Sequence, residues 1–193
     1  GACTIAILDN ESVDSPRWRS VCSCILLLPQ IFNKRLVTVE GLAQGDVLHP
    51  AQSAMVDALG SQCGYCTPGF VMSLFEATYR DDLIEPWQKD DQICGNLCRC
   101  TGYRPIRDAL EEVAGKRPND QFLDALSDTG TTESVRYEAT EQVYTRPSTW
   151  SELWPALAVD DAKVINGSTD LGLHVTQHHK SFSALVDLGG LPE

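Results

Sequence analysis

Four cysteines constrain this chain more than any other feature. They fall in the pattern Cys63-x2-Cys66-x31-Cys98-x-Cys100, and each close pair runs at once into a helix-start signal. Cys66 precedes Thr67-Pro68, which puts Thr67 at an N-cap and Pro68 at the first helical position. Cys100 precedes "TGYRP", which puts Pro105 in the corresponding place. Two helix N-termini are therefore expected to converge on four thiols. Such ends carry free N–H groups and partial positive charge, both of which stabilise anions. Arg99 and Arg104 add positive charge, while Gly64, Gly95 and Gly102 let backbone approach sulfur closely. Four thiolates in that setting suit an iron–sulfur centre. A four-cysteine zinc site and two disulfides are the alternatives. Zinc sites more often pair two CxxC motifs than CxxC with CxC, and Cys98 and Cys100 are too close together for an efficient staple.

The remaining composition narrows the setting. With 193 residues, 42% hydrophobic and 22% charged, the chain can fill one or two globular domains. A net charge of −12 argues against nucleic acid or an anionic membrane as partner. The apolar run "CILLLPQIF" is interrupted by Pro29 and falls short of the roughly 20 residues that span a bilayer. The first residues, "GACTIAILDN", have no initiator Met and none of the segments of a signal peptide. Eight cysteines without such a signal favour metal or redox chemistry in a reducing, cytoplasmic compartment.

Periodicity divides the chain. Residues 1–47 alternate apolar and polar positions in "CTIAIL" and "KRLVTVEGL" and read as strands. Residues 48–116 turn helical. Ala51, Met55 and Leu59 share a face, as do Val71, Leu74, Phe75 and Thr78, and again Ile106, Ala109, Leu110 and Val113. With a helix led by Pro86 and ending at Gly95, these make a four-helix bundle. Residues 117–147 are polar and read mostly as an exposed linker around a short "QFLDAL". A new unit opens at 148, where Thr149 and Glu152 have capping-box spacing. "AKVINGSTDLG" then reads as strand and glycine turn, whose N–H groups could hold a pyrophosphate. His174, His178 and His179 have no carboxylate or cysteine at ligand spacing and read as a solvated helix face; His49 opens a helix ahead of Pro50. There is no Ser–His–Asp, paired-carboxylate or phosphate-loop constellation, so no catalytic residue is expected.

The segments "SQCGYCTPGFVMSL" and "GNLCRCTGYRPI" resemble the signature of the helical [2Fe–2S] domain of molybdenum hydroxylases, the xanthine dehydrogenase and aldehyde oxidase family. By that resemblance Cys63, Cys66, Cys98 and Cys100 hold a cluster, Gln62 approaches a molybdopterin, and Cys100 is the ligand nearest it. Family members begin with a plant-type ferredoxin domain, whose motif is C-x4-C-x2-C and a distant cysteine. "GACTI" is similar to the end of that motif and "CSCILLLPQIFNKRLVTVEGL" to the later stretch, which makes Cys3 and Cys24 ligands of a second [2Fe–2S] cluster. Its other two ligands are absent from these residues, so the resemblance implies that roughly 40 or more residues of a ferredoxin-sized domain are missing. Cys22 and Cys94 are left as small packed side chains. "VINGSTDLGLHVT" and "LVDLGGLPE" resemble the opening of the family's FAD domain. That lays Lys163, Val164, Ile165, Asn166, Gly167, Ser168, Thr169, Asp170 and Leu171 along the FAD diphosphate, although Asn166 and Ser168 depart from the small residues common there.

The implied fold is α+β: part of a β-grasp ferredoxin domain (1–47), a four-helix [2Fe–2S] bundle (48–116), a linker (117–147) and the start of an α+β FAD-binding domain (148–193). The implied function is that of an iron–sulfur/FAD subunit. It would pass electrons from a molybdenum cofactor through two [2Fe–2S] clusters to FAD, and then to NAD or another acceptor. Its partner would be a large molybdopterin-binding subunit, in a dimer of heterodimers, and the segment alone would not be catalytically competent. The same role in an aldehyde or other N-heterocycle hydroxylase is the nearer alternative, because substrate choice lies in the molybdenum subunit. A non-enzymatic zinc-stabilised module is the more distant one.

Overall fold

The computed structural model describes residues 1–10, 15–130 and 133–191. They form two compact units. The fold class is α+β, as the sequence implies, with a small sheet and helices in one unit and a second sheet with helices in the other.

The first unit comprises Gly1–Leu8, Arg17–Ser23 and Arg35–Ser127. Its strands β1 (Thr4–Asp9), β2 (Arg17–Cys22) and β3 (Leu36–Val37) lie in the order β2-β1-β3. Strand β1 alternates as expected and buries Thr4, Ala6 and Leu8. "KRLVTVEGL" contributes only the two residues of β3 before Val39–Gly41 coils into a 3-10 turn. Strand β2 arises instead from the polar "RWRSVC", which has no simple alternation. Trp18 anchors it in the core, and Ser20 ties it to the helix beneath, its N–H donating to Glu76 Oε2 at 2.7 Å and its hydroxyl to the Met72 carbonyl at 3.0 Å.

Helices α1 (Pro50–Asp57), α2 (Thr67–Thr78), α3 (Pro86–Ile93), α4 (Arg104–Val113) and α5 (Gln121–Ala125) follow. Helix α2 is apolar nearly all round and is accordingly the central one, with Phe70, Met72, Leu74, Phe75 and Thr78 fully buried. The α4 stripe Ile106, Ala109, Leu110, Val113 meets the core as its spacing predicts. Ala51 and Met55 do likewise, but Leu59 is 79% exposed, because α1 ends at Asp57 and the chain reverses with Leu59 left-handed at φ 55°. Part of the segment read as linker is ordered. Asp120 caps α5 by accepting from the N–H groups of Phe122 (3.0 Å) and Leu123 (2.9 Å), and Phe122 packs edge-on against Trp18 and Phe75.

A buried polar chain secures this end of the bundle. His49 Nδ1 accepts from the Ala51 N–H at 3.1 Å, so its proton sits on Nε2, which donates to the Tyr79 hydroxyl at 2.8 Å. Tyr79 in turn donates to Asp120 Oδ2 at 2.6 Å. Burial pushes the His49 pKa down to about 4, against the pull of Asp120. A second ring proton would also point at the Ala51 N–H.

The second unit comprises Asp9–Pro16, Cys24–Lys34 and Asp128–Glu193. Its elements are β4 (Val135–Ala139), β5 (Gln142–Arg146), α6 (Trp150–Leu157), β6 (Lys163–Ile165), α7 (Leu171–Thr176) and β7 (Ala184–Asp187). The sheet order is β4-β5-β7-β6, with an antiparallel β4–β5 hairpin and parallel pairs β5–β7 and β6–β7. Parallel neighbours require crossovers, and α6 and α7 occupy them. The sheet thus starts at Val135, inside the segment read as linker. Its first strand, "VRYEA", has one buried residue in five and leaves little hydrophobic signature. Thr149 caps α6 as expected, accepting from the Glu152 N–H at 3.3 Å. Leu27, Val135, Tyr144 and Ile165 form a small core. Pro192 and Glu193 of "LVDLGGLPE" lie outside the described residues. Among the described residues no helix is long and apolar enough to cross a membrane.

Candidate metal centre

The two cysteine loops meet at one end of the bundle, next to the first turns of α2 and α4. Cys66 is itself the N-cap of α2, with Thr67 first and Pro68 second in the helix; Thr67 turns its hydroxyl to Ser61 instead, at 2.7 Å. Helix α4 starts at Arg104 behind Tyr103, which is left-handed at φ 68°. Three contacts hold Tyr103 there. Its N–H donates to Thr101 Oγ1 at 3.2 Å, its phenol oxygen accepts from the Cys98 N–H at 3.0 Å, and its ring packs edge-on against Phe70.

The thiols hydrogen-bond across the loops, and within each loop the neighbouring thiol is near enough to raise Cys66 and Cys100 further. Cys66 donates its S–H to Cys98, and Cys100 donates to Cys63. Burial, then the bond to Cys98, pushes the Cys66 thiol up to about 11. Cys98 is drawn down to about 7, first by the Thr101 hydroxyl at 3.1 Å and then by the Thr101 N–H at 3.5 Å. Hydrogen bonding to Cys63 raises Cys100. Among the described residues no three His, Cys, Asp or Glu side chains converge on a single ion position. Two facing pairs are instead the demand of a two-iron centre, which takes two thiolates at each iron. Gly64 (φ 85°) and Gly102 (φ 67°) take left-handed backbone in the two cysteine loops, where nothing lies within 4 Å of an added Cβ. The donor set, its pairing and this space fit a [2Fe–2S] cluster.

Around the thiols, Tyr65 (81%) and Leu97 (82%) are exposed apolar side chains. Gln62, Arg99 and Arg104 are exposed beside them. Thr101 and Tyr103 were missed as sulfur-loop partners by sequence reasoning. "TGYRP" announces only a helix start, although a Thr three residues after a cysteine is a local hydrogen-bonding signal.

Cys3 lies in the turn before β1, half-buried. The thiol recorded against it is that of Cys22 at the end of β2, raised by burial and then by the nearby Cys3. Cys24 is exposed in a 3-10 turn assigned to the second unit. Cys22 and Cys94, left over by the motif, both line a polar cavity of about 500 Å³ together with Glu76, Arg80 and Trp87.

In the second unit Lys163, Val164 and Ile165 form β6, and Leu171 starts α7. Asn166, Gly167, Ser168, Thr169 and Asp170 make the turn between them, with Gly167 at φ 81° and Ser168 at φ 60°. Ser168 is 3% exposed and its hydroxyl has no partner. An added Cβ on Gly167 would meet nothing within 4 Å. A buried hydroxyl awaiting a partner, beside open space over a glycine, fits a phosphate-bearing cofactor. Lys163 is directed to Asp161, at 2.5 Å.

Residues 38–111 match the model of a [2Fe–2S] binding domain, and residues 135–193 that of the FAD binding domain in molybdopterin dehydrogenase. A xanthine dehydrogenase of Blastobotrys adeninivorans is 43% identical over 131 residues, covering 66% of this chain and 9% of that protein. The xanthine dehydrogenase/oxidase of Rattus norvegicus is 28% identical over 242 residues, covering 100% of this chain and 18% of its own. Among solved structures, quinoline 2-oxidoreductase from Pseudomonas putida 86 aligns with a TM-score of 0.47 and 30% identity, over 65% of this chain and 67% of that one. The chain thus spans less than a fifth of the length of these curated relatives.

Proposed function

We propose, from the premise that the chain belongs to the xanthine dehydrogenase-like molybdenum hydroxylases as their iron–sulfur and FAD-binding region, that it is the electron conduit of such an enzyme. In this reading electrons leave a molybdenum cofactor, cross two [2Fe–2S] clusters to FAD, and pass to NAD or another acceptor. The observation that carries the reading is the cross-loop pairing of Cys66 with Cys98 and of Cys63 with Cys100.

Bound there, a [2Fe–2S] cluster supplies one-electron storage and release. The chain's own residues do the rest. Cys63, Cys66, Cys98 and Cys100 are the ligands, and they lose their thiol protons on metallation. The Thr101 hydroxyl and N–H donate to the Cys98 sulfur, and such bonds are a protein's lever on cluster potential. Tyr103 fixes the Cys98 backbone through its phenol. The exposed Tyr65 and Leu97 give the rim an apolar surface for a molybdopterin-binding partner, and Gln62, also exposed, directly precedes Cys63. Cys3 and Cys24 are proposed ligands of the second cluster. Ser168 and the turn from Lys163 to Leu171 are proposed to take the FAD diphosphate, the Ser168 hydroxyl donating to a phosphate oxygen. A dimer of heterodimers and a cytoplasmic setting come with the family reading, while substrate class lies with the molybdenum subunit.

The test is anaerobic reconstitution of this chain with iron and sulfide. Two irons and two acid-labile sulfides per chain, brown colour and an EPR signal on reduction are expected from the helical centre. A colourless protein holding one zinc would replace this reading with the zinc-stabilised module.

A further inference from the structure

Asn96 lies two residues before Cys98 and is 3% exposed, yet it is neither a ligand nor part of a regular element. Its carboxamide is fully engaged. Nδ2 donates to the Gly69 carbonyl at 3.3 Å and to Ser73 Oγ at 2.9 Å, both in α2, the helix that starts behind Cys66. Oδ1 faces the other way, towards the turn that carries Cys3. That turn is closed on itself: the Thr4 N–H (2.9 Å) and the Thr4 hydroxyl (2.5 Å) both donate to the Gly1 carbonyl. It rests directly on the carboxamide, with Thr4 Oγ1 at 3.5 Å from Oδ1. The fit allows no side chain between them. A Cβ on Gly69 would stand 2.0 Å from Asn96 Oδ1 and 2.3 Å from the Gly1 carbonyl, and one on Gly1 would stand 1.8 Å from the same Oδ1.

One buried side chain therefore touches the Cys3 turn, the first turn of the helix behind Cys66, and the segment leading into Cys98. We propose that Asn96 is a positioning residue that clamps the Cys3 turn onto the cysteine-bearing end of α2 and so fixes one candidate cluster site against the other. The inference rests on the reading of Cys3 and of the four bundle cysteines as cluster ligands. A polar residue serves here because the Ser73 hydroxyl and the Gly69 carbonyl both offer acceptors beside the close-packed turn, and an apolar residue of the same size would make neither bond. With clusters held at both sites, an electron passing between them would move with no proton or group, so a fixed separation is what the clamp would contribute.

Two variants test it, Asn96→Ala and the milder Ser73→Ala, which removes only one acceptor of the carboxamide. In this chain, with the bundle centre reconstituted, the readout is alkylation of Cys3 by N-ethylmaleimide, followed by peptide mass spectrometry. Labelling tracks the open fraction of the turn, and loss of one hydrogen bond of about 1 kcal/mol raises it roughly fivefold. Faster Cys3 labelling in both variants, at unchanged iron content, is the expected result. Unchanged labelling in both overturns the clamp and leaves Asn96 a local packing residue. In holoprotein carrying both centres, the variants weaken the magnetic interaction between the two reduced clusters; an interaction identical to wild type also overturns the proposal. Failure of the underlying reading looks different, since the wild-type chain would then take up no iron at the bundle cysteines, whatever Cys3 does.

Discussion

In the helical unit the candidate site is made of side chains at the ends of packed helices, whereas in the second unit it is made of a turn over a thin core. The bundle rests on a contiguous apolar cluster that includes all of one face of α4 and half of the residues of α2. Among the described residues of the second unit, the cluster of Leu27, Val135, Tyr144 and Ile165 has three partly buried neighbours. A thiolate centre demands fixed directions from four Cβ atoms, and helix ends locked by packing supply them. A diphosphate asks for N–H groups and a hydroxyl, which a glycine turn can offer with little behind it.

The sharpest way to break this contrast is to remove one donor from each site. Cys98→Ser should abolish iron binding at the bundle centre, read by iron content and colour, with helix content retained. Next in size, Phe75→Ala should cost about 3–5 kcal/mol of bundle stability, because the fully buried Phe75 ring contacts Trp18, His49, Tyr79 and Phe122. Chemical denaturation should show that loss in the bundle transition and not in tryptophan signals from α6 in the second unit. A single shared shift would mean the units unfold as one.

Acidity should likewise separate them. The His49 pKa is lowered in the fold, so the unfolded chain binds the proton first and stability falls as pH drops from about 6.5 towards 4. The loss is on the order of 3 kcal/mol at the lower end, and His49→Gln should flatten the profile. The smallest effects belong to the turn. Gly167→Ala should cost about 1 kcal/mol from its left-handed backbone alone, since the new methyl meets open space. Ser168→Ala should leave stability of the cofactor-free chain within about 0.5 kcal/mol while weakening FAD binding roughly tenfold, measured by flavin fluorescence.

How much could be read in advance follows the same division. The α4 stripe and the caps at Thr149 and, ahead of Pro50, at His49 are local patterns, and they stand as sequence spacing places them. Strand β2 and the hairpin β4–β5 were not legible, because their polar residues gain strand structure from Trp18, from Glu76 and from the neighbour β7. Leu59 continued a helical spacing that the chain itself breaks two residues earlier. Asn96 and Tyr103 gave no signal of their roles, since each acts on partners far from it in sequence or through a φ that only the folded loop imposes.

The sequence by itself determined the candidate donor set, the two helix starts beside it and the order of the two cofactor regions, because cysteine spacing, proline position and apolar period are properties of neighbouring residues. Only the tertiary structure decided that Cys66 faces Cys98 and Cys63 faces Cys100, that Cys22 reaches Cys3, and that Asn96 stands between the Cys3 turn and α2. These are contacts across long stretches of chain, set by how α2 and the sheet pack, and no local pattern encodes them.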